Sequence, residues 1–188
     1  MPLARLSNPW RLVSITPDGP SIATAITPDE TAALGSLALG RDCLEVGSAW
    51  GYSAVMMVRL GARSVTAVDF HQPCDSNEQA MNSHEVMQKN LGWYKAGSAV
   101  TMIRESSRKA LPDLAAQGRR YGLTFIDGDH TYESVRHDVG WARRLVPSGF
   151  IACHDYGGIE SVTRAVDEVF PDGPDWLVGT LHVMKVRG

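Results

Sequence analysis

Short apolar runs alternate with amphipathic stretches along most of this chain. The runs at 43–46, 65–68, 100–103, 123–126 and 150–153 each predict a strand, and their near-continuous apolar filling suits a parallel sheet buried on both faces. Between them the spacing turns helical. Ala54, Val55, Val58 and Leu60 share one face, as do Tyr132, Val135, Val139, Ala142 and Val146, and later Ile159, Val162, Val166 and Val169. Helices are also expected over about 85–91 and over 107–116. The first firm element opens at Thr27-Pro28-Asp29-Glu30, a capping box with Thr27 as N-cap, proline in the first turn and Glu30 reaching back. That helix should end near Gly40. Strand and helix alternate five times, which predicts an α/β, Rossmann-like architecture with helices on both faces. Residues 176–186 read as two strands around Gly179-Thr180 and predict an antiparallel edge. Residues 1–26 show no period and are expected to form an irregular N-terminal arm ahead of a single domain over 27–188.

The chain has 188 residues, enough for one domain with a sizeable core. Its net charge of −3 and lack of a basic run argue against a nucleic-acid or anionic-membrane partner. No apolar stretch approaches the roughly 20 residues of a membrane-spanning helix, and residues 1–10 lack the apolar segment of a secretory signal. Cys43, Cys74 and Cys153 are odd in number and far apart, so reduced thiols in a cytoplasmic protein are expected.

The run at 123–126 stops abruptly in Asp127-Gly128-Asp129-His130, which places two carboxylates and an imidazole at a strand end. Charged groups of this kind are costly to bury unpaired, whereas the carboxyl edge of an open α/β sheet accommodates them as a ligand site. A second cluster, His154-Asp155, closes the run at 150–153. The bland alternative is a polar turn that caps the following helix, with Thr131 as N-cap.

After the strand at 43–46 comes Gly47-Ser48-Ala49-Trp50-Gly51. Glycines there let a ligand approach the backbone, and the helix N-terminus beyond them offers free N–H groups to an anion. The expectation is that a side chain at Gly47 would fill the ligand's space. The spacing Gly-x-x-x-Gly argues against a dinucleotide. Asp69, 24 residues after Glu45 and ending the second strand, is placed to accept hydrogen bonds from a ribose diol, so the pair of features points to an adenosyl ligand. The polar connection after it is long enough to suggest a functional loop. Within it, His71 and Cys74 have zinc-like spacing but lack a second pair.

The segment Cys43 to Val55 (Cys-Leu-Glu-Val-Gly-Ser-Ala-Trp-Gly-Tyr-Ser-Ala-Val) resembles the cofactor loop of catechol O-methyltransferase-like enzymes. The blocks Phe-Ile-Asp-Gly-Asp-His-Thr-Tyr and Gly-Phe-Ile-Ala-Cys-His-Asp-Tyr, within Phe125 to Tyr156, resemble macrocin O-methyltransferase-like and cephalosporin-hydroxylase-like relatives. The resemblance covers 27–188. It implies an S-adenosylmethionine-dependent methyltransferase with a mostly parallel seven-stranded sheet and an antiparallel last strand. It also implies that Gly47 and Ser53 contact the methionine end of the cofactor, with Glu45 and Ser48 in the same cofactor site, Asp69 at the ribose and Ser107 beside the adenine. Asp127 becomes a shared cofactor and metal position, His130 the general base, and His154 and Asp155 the remaining metal ligands. Relatives often carry a carboxylate where His154 stands, which removes one favoured oxygen ligand from a hard cation such as Mg²⁺.

The chemistry that follows is methylation of a hydroxyl on a small molecule. The acceptor would be held in line with the methyl, a divalent ion would favour its ionised form, and His130 would take the proton. Methyl transfer to nitrogen on the same fold, a metal-dependent hydrolase and a non-catalytic adenosyl-binding domain are the alternatives, and a homo-oligomer is compatible with all. Asp129 is expected to orient His130 or cap a helix. His137 and Asp138 are expected on a solvated helix face, and Trp50, Trp93 and Trp141 in packing.

Overall fold

The computed structural model describes residues 11–71 and 83–188. Two short strands come first, β1 (Arg11–Ser14) and β2 (Ser21–Thr24), paired antiparallel. The expected irregular arm is therefore a hairpin over these residues. Period-2 reading missed it because each strand has only four residues, too few for alternation to stand out.

The rest of the chain follows the predicted alternation: α1 (Pro28–Ala38), β3 (Asp42–Val46), α2 (Tyr52–Arg59), β4 (Ser64–Val68), α3 (Ser83–Trp93), β5 (Val100–Ile103), α4 (Ser107–Ala116), β6 (Leu123–Ile126), α5 (Tyr132–Leu145), β7 (Gly149–Cys153), α6 (Glu160–Val169), β8 (Trp176–Val178) and β9 (Leu181–Val186). Seven strands form one sheet in the order β5-β4-β3-β6-β7-β9-β8, in which β9 runs antiparallel to both neighbours. The capping box at Thr27 and Glu30 is formed as expected.

The strand order carries functional weight. From β3 the chain builds outward through β4 to β5, then returns to the other side of β3 with β6. At such a reversal the connections on either side part company and leave a crevice beyond the carboxyl ends of the strands. Val46 pairs with Ile126 and Ile126 with Cys153, so Gly47, Asp127 and His154 all emerge at that edge, one residue past the ladder.

Two apolar layers hold the sheet. Leu34, Ala54, Met57, Met87 and Phe125 pack on one face, and Leu44, Leu111, Val139, Leu145 and Ile151 on the other. The hairpin joins the first layer through Ile22. Cys43 and Cys153 are buried free thiols, pushed up to about 12 by burial. Cys74 lies outside the described residues. Trp50 packs in the core, whereas Trp93 is 60% exposed and does not pack as expected.

Candidate active site

A cavity of about 740 Å³ opens at the crevice between β3 and β6. Its walls come from the β3–α2 loop, the end of β4, the start of α4, the loop after β6, Asp155 after β7, and residues 23–26 at the end of the hairpin. Gly47, Ser48, Ser53, Asp69, Ser107, Asp127, His130 and Asp155 all line it. Of the ten site residues expected from sequence, Glu45 and His154 stand outside this lining.

The β3–α2 loop is held by unusual backbone. Ala49 has φ of 43° and Gly51 has φ of 86° as the N-cap of α2. Asp69 fixes this conformation from the neighbouring strand: Oδ2 accepts the N–H groups of Ser48 and Ala49, each at 2.8 Å, and Oδ1 accepts that of His71 at 2.6 Å. Asn90 braces the loop from α3 by donating to Trp50 O at 2.8 Å. Asp69 thus does local structural work in addition to facing the cavity.

Gly47 differs from expectation. With φ of 88°, a Cβ at this position would lie 2.1 Å from the carbonyl oxygen of Asp127. The position is glycine because β3 and β6 converge there, so backbone contact, rather than ligand space, forbids a side chain.

Glu45 is fully buried behind Ser53, whose hydroxyl donates to Oε1, while Oε2 lacks a hydrogen-bond partner. Burial pushes its carboxyl up to about 7. A cofactor contact from Glu45 would therefore pass through Ser53, which does reach the cavity.

At the mouth of β6 and β7 four groups converge. His130 Nε2 lies 3.1 Å from Asp155 Oδ2 and 3.8 Å from Asp127 Oδ1. His154 Nδ1 lies 3.3 Å from Asp127 Oδ1 and 3.4 Å from Asp155 Oδ2. The His154 ring is 3% exposed, and its Nδ1 is buried without a hydrogen bond, so these separations bring charge together without hydrogen-bond alignment. The Asp127 and Asp155 carboxylates push His130 up to about 10. Burial alone would depress His154, but the same carboxylates outweigh it and push the imidazole up to about 11. Burial opposes ionisation of Asp127 and Asp155 too, yet the two imidazoles hold both below the usual carboxylate range. Asp155 adopts φ of 62°, a left-handed backbone that turns its side chain back toward the cluster. Asp127, His130 and Asp155 each offer a donor atom within 4.8 Å of the others, as a divalent cation would need. The buried Nδ1 of His154, without a hydrogen bond and 3.3–3.4 Å from the same two carboxylates, is a donor atom at the edge of that group.

Other expectations resolve in both directions. Asp129 accepts from Thr131 N at 3.1 Å and from Ser134 Oγ at 2.7 Å, so it braces the turn that leads into α5, whose first N–H groups receive no side-chain cap. Asp138 is not on a solvated face. It is 2% exposed, lines the cavity beside Ser107, and bonds His137 Nδ1 at 2.9 Å. The helical period placed it opposite the apolar stripe, but α4 covers that side. His71 pairs with Ser83 Oγ at 3.0 Å, and its sequence partner Cys74 falls outside the described residues. Glu30 was legible as a capping residue only; that it reaches His154, at 3.4 Å, depends on long-range packing that local spacing does not encode.

The comparisons agree with this geometry. A family described as a methyltransferase domain matches residues 44–156. No curated protein sequence matches the chain. The O-methyltransferase from Bacillus cereus, solved in complex with SAH, superposes with a TM-score of 0.65 at 18% identity, covering 86% of this chain and 82% of that one. TomG from Streptomyces achromogenes, an O-methyltransferase solved with SAM, gives a TM-score of 0.66 at 18% identity over 87% and 82%. A third similar structure, cofactor-bound Rv0187 from MTB, reaches 22% identity with a TM-score of 0.60 over 83% and 70%. With a family match that spans both strand-end clusters, set on a fold whose crevice carries them, this chain belongs to the methyltransferase-domain family and is an S-adenosylmethionine-dependent methyltransferase.

Proposed function

We propose that the chain transfers a methyl group from S-adenosylmethionine to a hydroxyl oxygen of a small molecule. The observation that carries this reading is the shared cavity: the Asp127–His130–Asp155 cluster opens onto the same space as the β3–α2 loop. The names of the similar structures, two of them O-methyltransferases, support it. The family match counts against the hydrolase alternative.

In this reading Ser53 and the N-terminus of α2 receive the methionine end, Asp69 the ribose and Ser107 the adenine side. Asp127 and Asp155 would hold a divalent cation, whose role when bound is to favour the ionised form of the acceptor hydroxyl. His130, on the more open side of the cluster at 44% side-chain exposure, holds a proton while both carboxylates stand bare against it; a cation on Asp127 and Asp155 would offset their charge and free the imidazole to take the acceptor's proton. Ala23 at the end of the hairpin, Ile26 just after it and Ile159 at the N-cap of α6 would supply apolar wall for the acceptor.

Calorimetry with S-adenosylhomocysteine, followed by product analysis on a panel of phenols, sugars and amines, tests the proposal. Methylated oxygen in the product supports it. Cofactor binding with methylation confined to amines overturns the choice of oxygen.

A further inference from the structure

Glu30 is a capping residue buried where such residues normally face water. Only 1% of it is exposed. Each carboxylate oxygen carries more than one partner. Oε2 accepts Thr27 N at 2.8 Å and lies 3.4 Å from His154 Nε2, while Oε1 accepts Thr180 N at 2.7 Å and Thr180 Oγ1 at 3.0 Å. Glu30 therefore joins three elements, α1, the end of β7 and the turn between β8 and β9. With the Thr27 and Thr180 N–H groups and the Thr180 hydroxyl all donating to it, the carboxylate is cast as an acceptor. An ionised carboxylate beside Nε2 keeps a proton on that nitrogen. With Nε2 facing Glu30, Nδ1 is the ring nitrogen left to face the carboxylates: it is buried, without a hydrogen bond, and 3.3–3.4 Å from Asp127 Oδ1 and Asp155 Oδ2, where a cation would take the place of the proton that they otherwise hold on the ring.

We propose that Glu30 is a positioning residue that presents His154 Nδ1 to a cation held by Asp127 and Asp155, so that the site selects a first-row transition ion over Mg²⁺. This rests on the metal-assisted reading above. Ligand atoms around one such ion, at about 2.0–2.2 Å from it, stand about 3.0–3.6 Å apart, the range of the two His154 separations. A carboxylate behind the distal ring nitrogen is the usual way in which a metal-binding histidine is oriented. A nitrogen donor in place of an oxygen moves the preference away from Mg²⁺, which takes oxygen almost exclusively.

The test uses the full chain with Mn²⁺ and Mg²⁺ as probes, with S-adenosylhomocysteine affinity measured on the same samples. The wild type should bind Mn²⁺ at least tenfold more tightly than Mg²⁺. Pulsed electron paramagnetic resonance of the Mn²⁺ form should show imidazole nitrogen coupling that persists in His130→Ala and disappears in His154→Ala. Glu30→Gln should weaken Mn²⁺ binding by about tenfold, the scale for a lost supporting carboxylate, with cofactor affinity unchanged. His154→Asp should narrow the Mn²⁺ to Mg²⁺ ratio. Nitrogen coupling that vanishes in His130→Ala, or a Glu30→Gln variant that loses cofactor and Mn²⁺ affinity in step, overturns the proposal. So does a wild type that binds no Mn²⁺; retained cofactor binding in that protein leaves the methyltransferase assignment standing. Should His154→Ala fail to fold, His130→Ala and Glu30→Gln still decide the matter.

Discussion

The Asp69 carboxylate accepts the backbone N–H of Ser48 at 2.8 Å, across the gap between the ends of β4 and β3. With Ala49 and His71 it gathers three N–H groups, so one side chain shapes the loop that would receive the cofactor. Asp69→Ala should therefore lower melting temperature as well as weaken S-adenosylhomocysteine binding, the latter by about 1–3 kcal/mol. Calorimetry and thermal denaturation on the same preparation separate the two effects. A melting temperature that does not move would show the loop to be independent of Asp69.

Gly47→Val should damage the fold more than the binding surface. The clash is with the Asp127 backbone, and relief requires β3 and β6 to part at their carboxyl ends. Strain at the left-handed φ adds to the overlap, so a stability loss above about 3 kcal/mol is expected in urea denaturation. A variant with native stability and no cofactor affinity would contradict this account.

Glu45 gives a pH dependence of defined sign. Its carboxyl rises from an unfolded value near 4.5 to about 7 in the folded protein. The folded state therefore holds the proton more tightly, and the contribution to stability is complete below the unfolded pKa and lost as pH rises through about 7. Glu45→Gln keeps an oxygen to accept from Ser53 and removes the titration. Relative to that variant the wild type should lose up to about 3 kcal/mol between pH 4.5 and 8. Parallel stability curves for the two proteins would exclude the mechanism.

His130→Ala should lower turnover by about 10²–10⁴-fold with little change in cofactor affinity, the range for lost general-base assistance. Chelation should also lower turnover, with recovery on adding back a divalent ion. Because His130 stands against both carboxylates, the two losses should be far from additive. If the chelator depresses His130→Ala by the same factor as the wild type, the cation and the imidazole act independently.

The fold was largely legible because its information is local: apolar runs of four or five residues, helical spacing between them, and the Thr27–Glu30 capping box. The strand-end residues were legible for the same reason, since whatever follows a parallel strand emerges at the ligand edge. What the sequence concealed depends on partners far away in the chain. Asp138 is buried because α4 packs over its face, and Glu30 lies 124 residues from His154. Local spacing marks Gly47 as special, but the backbone it meets is that of Asp127, just past β6 and 80 residues later, and local spacing does not encode that contact.

The sheet ties down the two sides of the proposed reaction chamber unequally. The reacting groups stand on strands whose register is fixed by neighbours on both sides, so almost any insertion there would displace them. Ala23 and Thr24, in another part of the wall, close a hairpin whose two four-residue strands pair with each other alone among the described residues. Rebuilding that wall would change which acceptor fits and would leave Asp127, His130 and Asp155 where they stand. Under the proposed reaction, acceptor preference is therefore the property that can change without disturbing the sheet edge.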